Sequence, residues 1–181
     1  MPIKLHLGCG KRNFGPDWIH VDGSYYSHAQ QGDVATLTNF SDNSADLIYA
    51  SHVLEYFSIL QSHDVLTTWR CVLKPGGTLR IAVPDFRAMA ELYASGKFNL
   101  KHFLGPIYGT MVMDKDFIHH KTGYDFETLK EALEIAGFKN VHRYNWKKTE
   151  HAYFDDHSQA YLPHMDKSNG TLISLNVEAT K

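Results

Sequence analysis

Leu5-His6-Leu7-Gly8-Cys9-Gly10 is the stretch of sequence that decides the fold, because a short apolar run ends here in two glycines. An apolar run that stops at glycine predicts a β-strand entering a turn. Glycine at such a turn lets the backbone approach a ligand closely. Gly8 and Gly10 are therefore the first candidate binding residues, although a G-x-G alone is also consistent with a tight turn that binds nothing.

Asp22 follows the next apolar run, Trp18-Ile19-His20-Val21, which predicts a second strand. An acidic side chain at the end of such a strand can accept hydrogen bonds from both hydroxyls of a ribose. The pair Asp22-Gly23 is also a common turn sequence. Ligands of open α/β sheets bind beyond the carboxyl ends of the strands, so the two strand ends together indicate a nucleotide-type ligand.

The rest of the chain alternates between strand and helix patterns. Strands are predicted to end near Asp33-Val34 and to cover 46–50, 78–83, 140–147 and 171–179. Helices are predicted through Val65, Leu66, Trp69, Val72 and Leu73, from the cap Asp85 to Gly96, and from the cap Asp125 through Ile135 to Gly137, with Pro75-Gly76-Gly77 ending the first. This alternation predicts a mostly parallel α/β sheet in one domain over residues 1–181.

The spacing of the first three strands leaves little room for crossover helices. Eleven residues separate Gly10 from Asp22, and they include the second strand, while ten separate Asp22 from Asp33. A helical crossover needs about a dozen residues or more, so we expect these helices to be missing or reduced to a turn. A dinucleotide site needs such a helix and a third glycine, where this chain has Asn13. The spacing thus disfavours NAD and allows S-adenosyl-L-methionine (SAM), which has no phosphate.

Composition narrows the class of protein further. The 181 residues carry a formal net charge of −2, which gives no basic surface for nucleic acid. No apolar run approaches the ~20 residues that span a bilayer, and the start of the chain lacks the pattern of a signal peptide. Two cysteines, Cys9 and Cys71, make neither a disulfide framework nor a zinc site. We expect a cytoplasmic protein that binds neither nucleic acid nor membrane, with an oligomeric state left open.

The chain resembles the class I SAM-dependent methyltransferases often labelled type 11. The similar segments run in family order: Leu7–Gly10, 15–22, 40–57, Leu73-Lys74-Pro75-Gly76-Gly77 and 124–138, the last closing in Ala136-Gly137-Phe138. The resemblance implies a Rossmann-like, seven-stranded sheet in the order 3-2-1-4-5-7-6 with the last strand antiparallel. The spacing of the first strands further predicts that the helices in the N-terminal half of this fold are shortened.

The resemblance also implies roles for residues at the strand ends. Gly8 and Gly10 would line the methionine part of SAM, Asp22 would hold the ribose, Asp33 and Val34 would sit by the adenine, and Ala50 and Ser51 would lie beside the ligand. Cys9 and Gly23 are also expected to bind the cofactor. Lys11 or Arg12 could pair with the methionine carboxylate, but solvated surface is the favoured interpretation of both.

The catalytic candidates come from twelve histidines and a few carboxylates. A hydroxyl acceptor needs a general base, and His52 and His120 are the predicted bases, each also consistent with a purely structural role. We expect His52, His120 and the 155–164 loop to converge beside the methyl group. Weaker candidates are His119 and Asp85, the latter favoured as a helix cap, and Glu55 is interpreted as a structural partner of nearby backbone.

No metal is predicted, since the Asp and His residues between 155 and 166 lack tight ligand spacing. The predicted activity is methyl transfer from SAM to a small-molecule or saccharide acceptor, and the aromatic-rich 98–124 stretch would form a lid. Two alternatives stay open: a nicotinamide-dependent oxidoreductase, and a non-enzymatic interaction module that keeps the fold.

Overall fold

The computed structural model describes residues 1–113 and 115–181 and is built around one seven-stranded sheet. The strands are β1 (Lys4–Leu7), β2 (Ile19–Asp22), β3 (Gln30–Gln31), β4 (Ala45–Ser51), β5 (Leu73–Pro84), β6 (Met111–Met113), β7 (Asp116–Ile118), β8 (Lys139–Arg143), β9 (Tyr161–Leu162), β10 (Thr171–Leu172) and β11 (Ser174–Thr180). The α-helices are α1 (Ile59–Val72), α2 (Phe86–Ala94), α3 (Leu104–Tyr108) and α4 (Phe126–Ile135).

The strand order of the main sheet is β3-β2-β1-β4-β5-β11-β8. Counting only the strands of this sheet along the chain gives 3-2-1-4-5-7-6, so the predicted topology is confirmed. β1 pairs in parallel with β2 and β4, and β4 with β5, whereas β11 is antiparallel to both β5 and β8. The carboxyl ends of β1, β2, β4 and β5 therefore meet at one edge, where ligands of such sheets bind.

The N-terminal crossovers contain turns in place of helices, as the spacing predicted. All residues between β1 and β4 are described, and none of them is helical. Short backbone bonds close the turns, from Arg12 N–H to Cys9 O at 3.0 Å and from Leu37 N–H to Asp33 O at 3.0 Å. Chain length is the reason for the first two turns, because a strand and a helical crossover do not both fit there.

One face of the sheet packs against α1 and α4 and forms the main core. Leu5 and Leu7 of β1 point into it together with Trp69 of α1 and Leu129 of α4, all of them fully buried. The helix α1 starts with a capping box at Ser58. The predicted end of this helix was wrong in detail: α1 stops at Val72, and Pro75-Gly76-Gly77 lies inside β5, where Gly76 adopts a φ of 78°.

The opposite face carries an aromatic cluster instead of helices. Alternate residues of the strands point to opposite faces, so His6 lies on this side while Leu5 and Leu7 face the helices. The ring of Phe14 stacks on His6 at 4.1 Å and on His151 at 5.0 Å between centroids. The cluster comprises His6, Phe14, Trp18, His20, Tyr49 and His151. Residues of the 144–160 region thus cover the face that the missing crossover helices leave open.

The C-terminal half follows the predicted pattern with three corrections. Asp85 and Asp125 cap α2 and α4 as expected, through bonds from Ala88 N–H and Thr128 N–H. Ile135 is 65% exposed and does not belong to the apolar face of α4. β8 ends at Arg143, short of the predicted Lys147, and the predicted strand over 171–179 is divided into β10, which pairs with β9, and β11 of the main sheet. The aromatic-rich 98–124 stretch contains α3 and the β6–β7 hairpin.

Among the described residues, no helix combines the length and the apolar character that crossing a membrane would require.

Candidate active site

The glycine turn after β1 has the backbone geometry that the G-x-G pattern predicted. Gly8 and Gly10 adopt positive φ angles of 62° and 54°, which favour glycine over other residues. A Cβ atom on Gly8 would overlap with Val53 Cγ2, so Gly8 lets the segment after β4 pack directly on the turn. A Cβ atom on Gly10 would meet no atom within 4 Å. The space above Gly10 is therefore open to a ligand.

Asp22 closes this turn from the end of β2. Its Oδ2 accepts a hydrogen bond from Gly10 N–H at 2.8 Å, and its Oδ1 accepts one from Ser24 N–H at 2.9 Å. A carboxylate offers about four lone-pair positions, so each oxygen keeps capacity for a ligand hydroxyl. Asp22 thus both orders the turn and presents acceptors at the open space beside Gly10.

A cavity of about 430 Å³ continues from Asp22 toward the end of β3. Its walls include Gly23, Asp33, Val34 and the ring of Phe57, and the remaining lining residues are Gln31, Gly32 and Met113. The size lies within the range of small-molecule sites, and the walls combine flat apolar surface with backbone polar groups. The predicted residues Gly23, Asp33 and Val34 therefore share one cavity, and Phe57 is a wall that the sequence interpretation missed.

The remaining predicted cofactor residues, Ala50, Ser51 and Cys9, differ in which of their groups could contact a ligand. The side chain of Ala50 is fully buried in the α1–α4 core, so only its backbone can reach a ligand. Ser51 has a buried hydroxyl with no hydrogen-bond partner, at the carboxyl end of β4. Burial raises the pKa of the Cys9 thiol to about 12, so this thiol stays protonated and unreactive. Ser51 differs from Ala50 and Cys9 in having a polar side-chain atom without a protein partner at this edge of the sheet, and such a group calls for an explanation.

His52 leaves β4 in a strained backbone conformation. Its φ of 54° lies in the left-handed region, which costs a residue with a Cβ atom on the order of 1–3 kcal/mol. Its N–H donates to Ala82 O at 2.8 Å, which fixes the turn against β5. Such strained residues cluster at active sites, since the surrounding structure must hold them in place.

Two histidines, His52 and His120, meet at Glu55, and a third, His157, packs beside His52. His52 Nδ1 lies 3.3 Å from Glu55 Oε1, and His120 Nε2 lies 3.7 Å from the same oxygen. The ring of His157, from the 155–164 loop, lies 5.0 Å from that of His52 between centroids. The structure thus brings together the three groups expected at the acceptor site. Glu55, which lies between His52 and His120, was interpreted as a structural partner of nearby backbone.

Burial sets the charge state of this cluster. It lowers the pKa of His52 well below the ordinary value, with further lowering by His157, His120 and Arg12. Burial also lowers the pKa of His120, and it raises the pKa of Glu55 to about 8. Neutral imidazoles can accept a proton, so both histidines are in the form that a general base requires.

His120 lines a second cavity, of about 230 Å³, at the end of β5. Its walls are mainly apolar and come from Pro84, Phe86, Met89, Pro106, Ile107 and Tyr108. His120 Nδ1 lies 3.0 Å from Pro106 O, and a carbonyl only accepts, so Nδ1 carries the hydrogen and Nε2 keeps the lone pair. A Cβ atom on Gly109 would overlap with this ring, so a glycine is needed there for the observed position of His120.

The weaker candidates have structural roles. His119 is exposed, with Nδ1 3.0 Å from Gly109 O, and Asp85 caps α2 and forms an ion pair with Arg143 at 3.2 Å. Arg12 donates from Nε to Asp155 O at 2.9 Å and is close enough to His52 and His157 to lower their pKa values. It therefore lies at the cluster and not in bulk solvent.

Other carboxylates of the 149–170 loop are engaged locally. Asp155 pairs with Lys167 at 2.7 Å, Asp156 accepts from Tyr49 and Ser158, and Asp166 accepts from Asn169 N–H. Across residues 1–113 and 115–181, no three His, Cys, Asp or Glu side chains are grouped so that they could hold a metal ion.

Comparison with known proteins gives a family match over part of the chain and a shared fold over nearly all of it. Residues 12–81 match the family described as a methyltransferase domain. A search of curated proteins gives no match. Over 99% of its length the chain superposes on 86% of a SAM-dependent methyltransferase from Archaeoglobus fulgidus, with a TM-score of 0.60 at 17% identity. Part of the chain thus matches a methyltransferase domain family, and the chain as a whole shares its fold with SAM-dependent methyltransferases.

Two further solved structures are similar to this chain. A SAM-dependent methyltransferase from Thermotoga maritima shares 16% identity at a TM-score of 0.60, covering 100% of this chain and 83% of that one. The 1,6-didemethyltoxoflavin-N1-methyltransferase of Burkholderia thailandensis, solved with its substrate and S-adenosylhomocysteine, shares 14% identity at a TM-score of 0.57, covering 99% of this chain and 71% of that one. At these identities the likeness shows a shared fold. The family match covers β2, β4 and most of β5, the strands that carry Asp22 and the His52 turn.

Proposed function

We propose that this methyltransferase transfers the methyl group of SAM to a small, largely apolar molecule that carries an N–H or O–H group. The acceptor would occupy the 230 Å³ cavity beside His120, and the cofactor the open space over Gly10. The single observation that carries the proposal is the contact of Glu55 with two histidines. One is His120, which lines the cavity, and the other is His52, in the turn at the end of β4. The apolar walls favour a small molecule over a saccharide, whose hydroxyls need polar partners.

The residues around Gly10 fit SAM. The open space over Gly10, the spare lone pairs of Asp22 and the orphaned hydroxyl of Ser51 would accept its methionine and ribose parts. The cavity of about 430 Å³ walled by Val34 and Phe57 would hold the adenine. We assign cofactor binding to Gly8, Cys9, Gly10, Asp22, Gly23, Asp33, Val34, Ser51 and the backbone of Ala50.

Methyl transfer requires the protein to position the two reactants and to supply one general base. Bound SAM supplies a methyl group on a sulfonium, and transfer leaves the electron pair of the broken carbon–sulfur bond on sulfur. His120 Nε2, which keeps its lone pair, would take the proton that the acceptor loses as the new bond forms. His52, held by its strained turn, would align the cluster, and the apolar walls would exclude water.

The mode of ligand binding in one relative agrees with this proposal. The Burkholderia enzyme binds 1,6-didemethyltoxoflavin, a small molecule, together with S-adenosylhomocysteine. For the present chain we expect a melting temperature that rises with S-adenosylhomocysteine and stays constant with NAD. A ligand at 100 times its Kd stabilises a protein by about 2.7 kcal/mol. A rise with NAD alone would favour the oxidoreductase alternative, and no rise with either would favour the non-enzymatic one.

The acceptor half is tested with Gly109→Ala and its control Gly105→Ala. A methyl group at Gly109 overlaps with the His120 ring, whereas one at Gly105 meets no atom within 4 Å. We expect Gly109→Ala to lose at least tenfold in methyl transfer to a panel of aromatic amines and phenols, at unchanged affinity for S-adenosylhomocysteine. Equal rates in the two variants would contradict a role for His120.

A further inference from the structure

Glu55 is a buried carboxyl group without a hydrogen-bond partner. Its side chain is 1% exposed, and neither oxygen has a partner with hydrogen-bond geometry. A buried, unpaired charge is costly, so such a group holds a proton or shares one with a neighbour. Among the described residues, no Lys or Arg forms an ion pair with Glu55, and its ionisable partners within 4 Å are His52 and His120.

The main chain of Glu55 ties the same elements together. Its carbonyl accepts hydrogen bonds from Lys121 N–H at 2.7 Å and Thr122 N–H at 3.2 Å. These bonds fix the segment that carries His120 against the 3₁₀ turn of residues Leu54–Tyr56. The separation of the Glu55 carboxyl from the His120 ring is therefore set by the fold and not by a mobile loop.

Other ionisable groups surround this unit. Burial raises the pKa of the Tyr56 and Tyr124 phenols, and the nearby Glu55 raises each of them further. His157 and Arg12 face His52, and His119 lies near His120. The two phenols stay protonated at neutral pH, since both pKa values lie above the ordinary value of 10.0. Glu55, whose pKa burial raises to about 8, is thus the group of this unit that ionises close to neutral pH.

We propose that Glu55 is a positioning residue that joins His52 and His120 into one proton-sharing unit. This role rests on the proposed function and specifies which group receives the acceptor's proton. The acceptor atom forms its bond to the methyl carbon and loses its proton to His120 Nε2. That proton then passes to the Glu55 carboxylate, whose Oε1 is 3.7 Å from Nε2. Each methyl transfer therefore leaves one proton on Glu55, which must reach solvent before the next turnover.

The pH dependence follows from the direction of the Glu55 shift. Burial raises the pKa of Glu55 to about 8, so the carboxyl group is mostly protonated at pH 7 and becomes a carboxylate as the pH rises through 8. Only the carboxylate form of Glu55 can take the proton on from His120 Nε2. We expect methyl transfer to increase with pH through this window, by about tenfold from pH 7 to pH 9, and Glu55→Gln to lack the increase.

The decisive experiment is a histidine titration that needs neither cofactor nor acceptor. In ¹⁵N-labelled wild-type protein, the ring nitrogens of His52 and His120 should both show an inflection at the pH where Glu55 ionises. In Glu55→Gln this shared inflection should vanish, and in the control Glu131→Gln, an exposed residue of α4, it should remain. Titration curves that are identical in wild type and Glu55→Gln would overturn the inference.

Two further measurements separate the possible failures. If Glu55→Gln does not fold, the coupling between Glu55 and the histidines can be measured in wild-type protein that contains ¹³C-labelled glutamate. One carboxyl group should then titrate near pH 8, in step with both histidines. A carboxyl that titrates alone would overturn the inference. In activity assays, Glu55→Gln should lower kcat at least tenfold with the KM for SAM unchanged. Absence of methyl transfer by the wild type would refute the proposed function and leave the titration result standing.

Discussion

Replacing Asp22 with alanine tests the cofactor half of the site and its link to the fold. Asp22 accepts hydrogen bonds from Gly10 N–H at 2.8 Å and from Ser24 N–H at 2.9 Å. In the proposed complex it also accepts from the ribose. The substitution therefore removes bonds in the ligand-free protein as well as bonds to the ligand, and the two losses can be measured separately.

The magnitudes follow from the number and type of these bonds. A hydrogen bond to a charged group contributes about 1.5–3 kcal/mol, so losing the ribose contact should weaken S-adenosylhomocysteine binding roughly ten- to a hundredfold. Asp22, Gly10 and Ser24 are half-buried, so water can replace part of the backbone bonding. We expect the free energy of unfolding to fall by about 1–3 kcal/mol, which lowers Tm by about 2–12 °C in a chain of this size.

Isothermal calorimetry with S-adenosylhomocysteine and thermal unfolding without ligand provide the two measurements. Asp22→Asn keeps one acceptor oxygen without the charge and should give intermediate values. Asp17→Ala, which removes an exposed carboxylate from the preceding loop, should leave both quantities unchanged. An affinity within twofold of the wild type for Asp22→Ala would refute the assignment and reduce Asp22 to a turn residue.

Two further predictions concern stability. Burial lowers the pKa of His6 to about 2 and that of His151 to about 4. The contribution of these two neutral side chains to the free energy of unfolding is therefore complete above pH 6.5 and is lost as the pH falls toward these values. Glu55, with its raised pKa, has the opposite effect, because through this carboxyl group the folded state becomes more stable as the pH falls over this range. Since the buried histidines outnumber Glu55, we expect the urea concentration at the unfolding midpoint to decrease from pH 6.5 to pH 4.5. A constant or rising midpoint would contradict this. Gly8→Ala should lower Tm through overlap with Val53 and a φ of 62°, and adding Val53→Ala should recover only the overlap. A double variant no more stable than Gly8→Ala would show that the overlap is relieved elsewhere.

Most of the fold could be predicted from local patterns. The apolar runs ending in glycine or aspartate mark the strand ends, and Asp85 and Asp125 cap helices as their positions indicate. The absence of a helix between Gly10 and Trp18 follows from chain length alone. Helix ends were less certain: Pro75-Gly76-Gly77 reads as a stop, yet it lies within β5, because pairing with β4 and β11 extends that strand.

The histidines show what local pattern could not resolve. Their abundance suggested catalysis or scattered surface positions, but His6, His20 and His151 pack in an aromatic cluster that covers one face of the sheet. No periodicity marks them as buried. Their burial depends on the missing crossover helices and on a distant segment that takes the place of those helices.

The sequence by itself determined the parallel topology, the glycine turn and the acidic strand end, since each rests on residues close together in the chain or on spacing. Only the tertiary structure decided that Glu55 lies between His52 and His120. That meeting requires β4 and the segment before α4 to reach the same edge of the sheet, with Gly109 leaving room for the His120 ring. The proton affinity of a carboxyl group depends on its surroundings, and for Glu55 these include His120, which lies 65 residues away in the chain and which no local pattern relates to it.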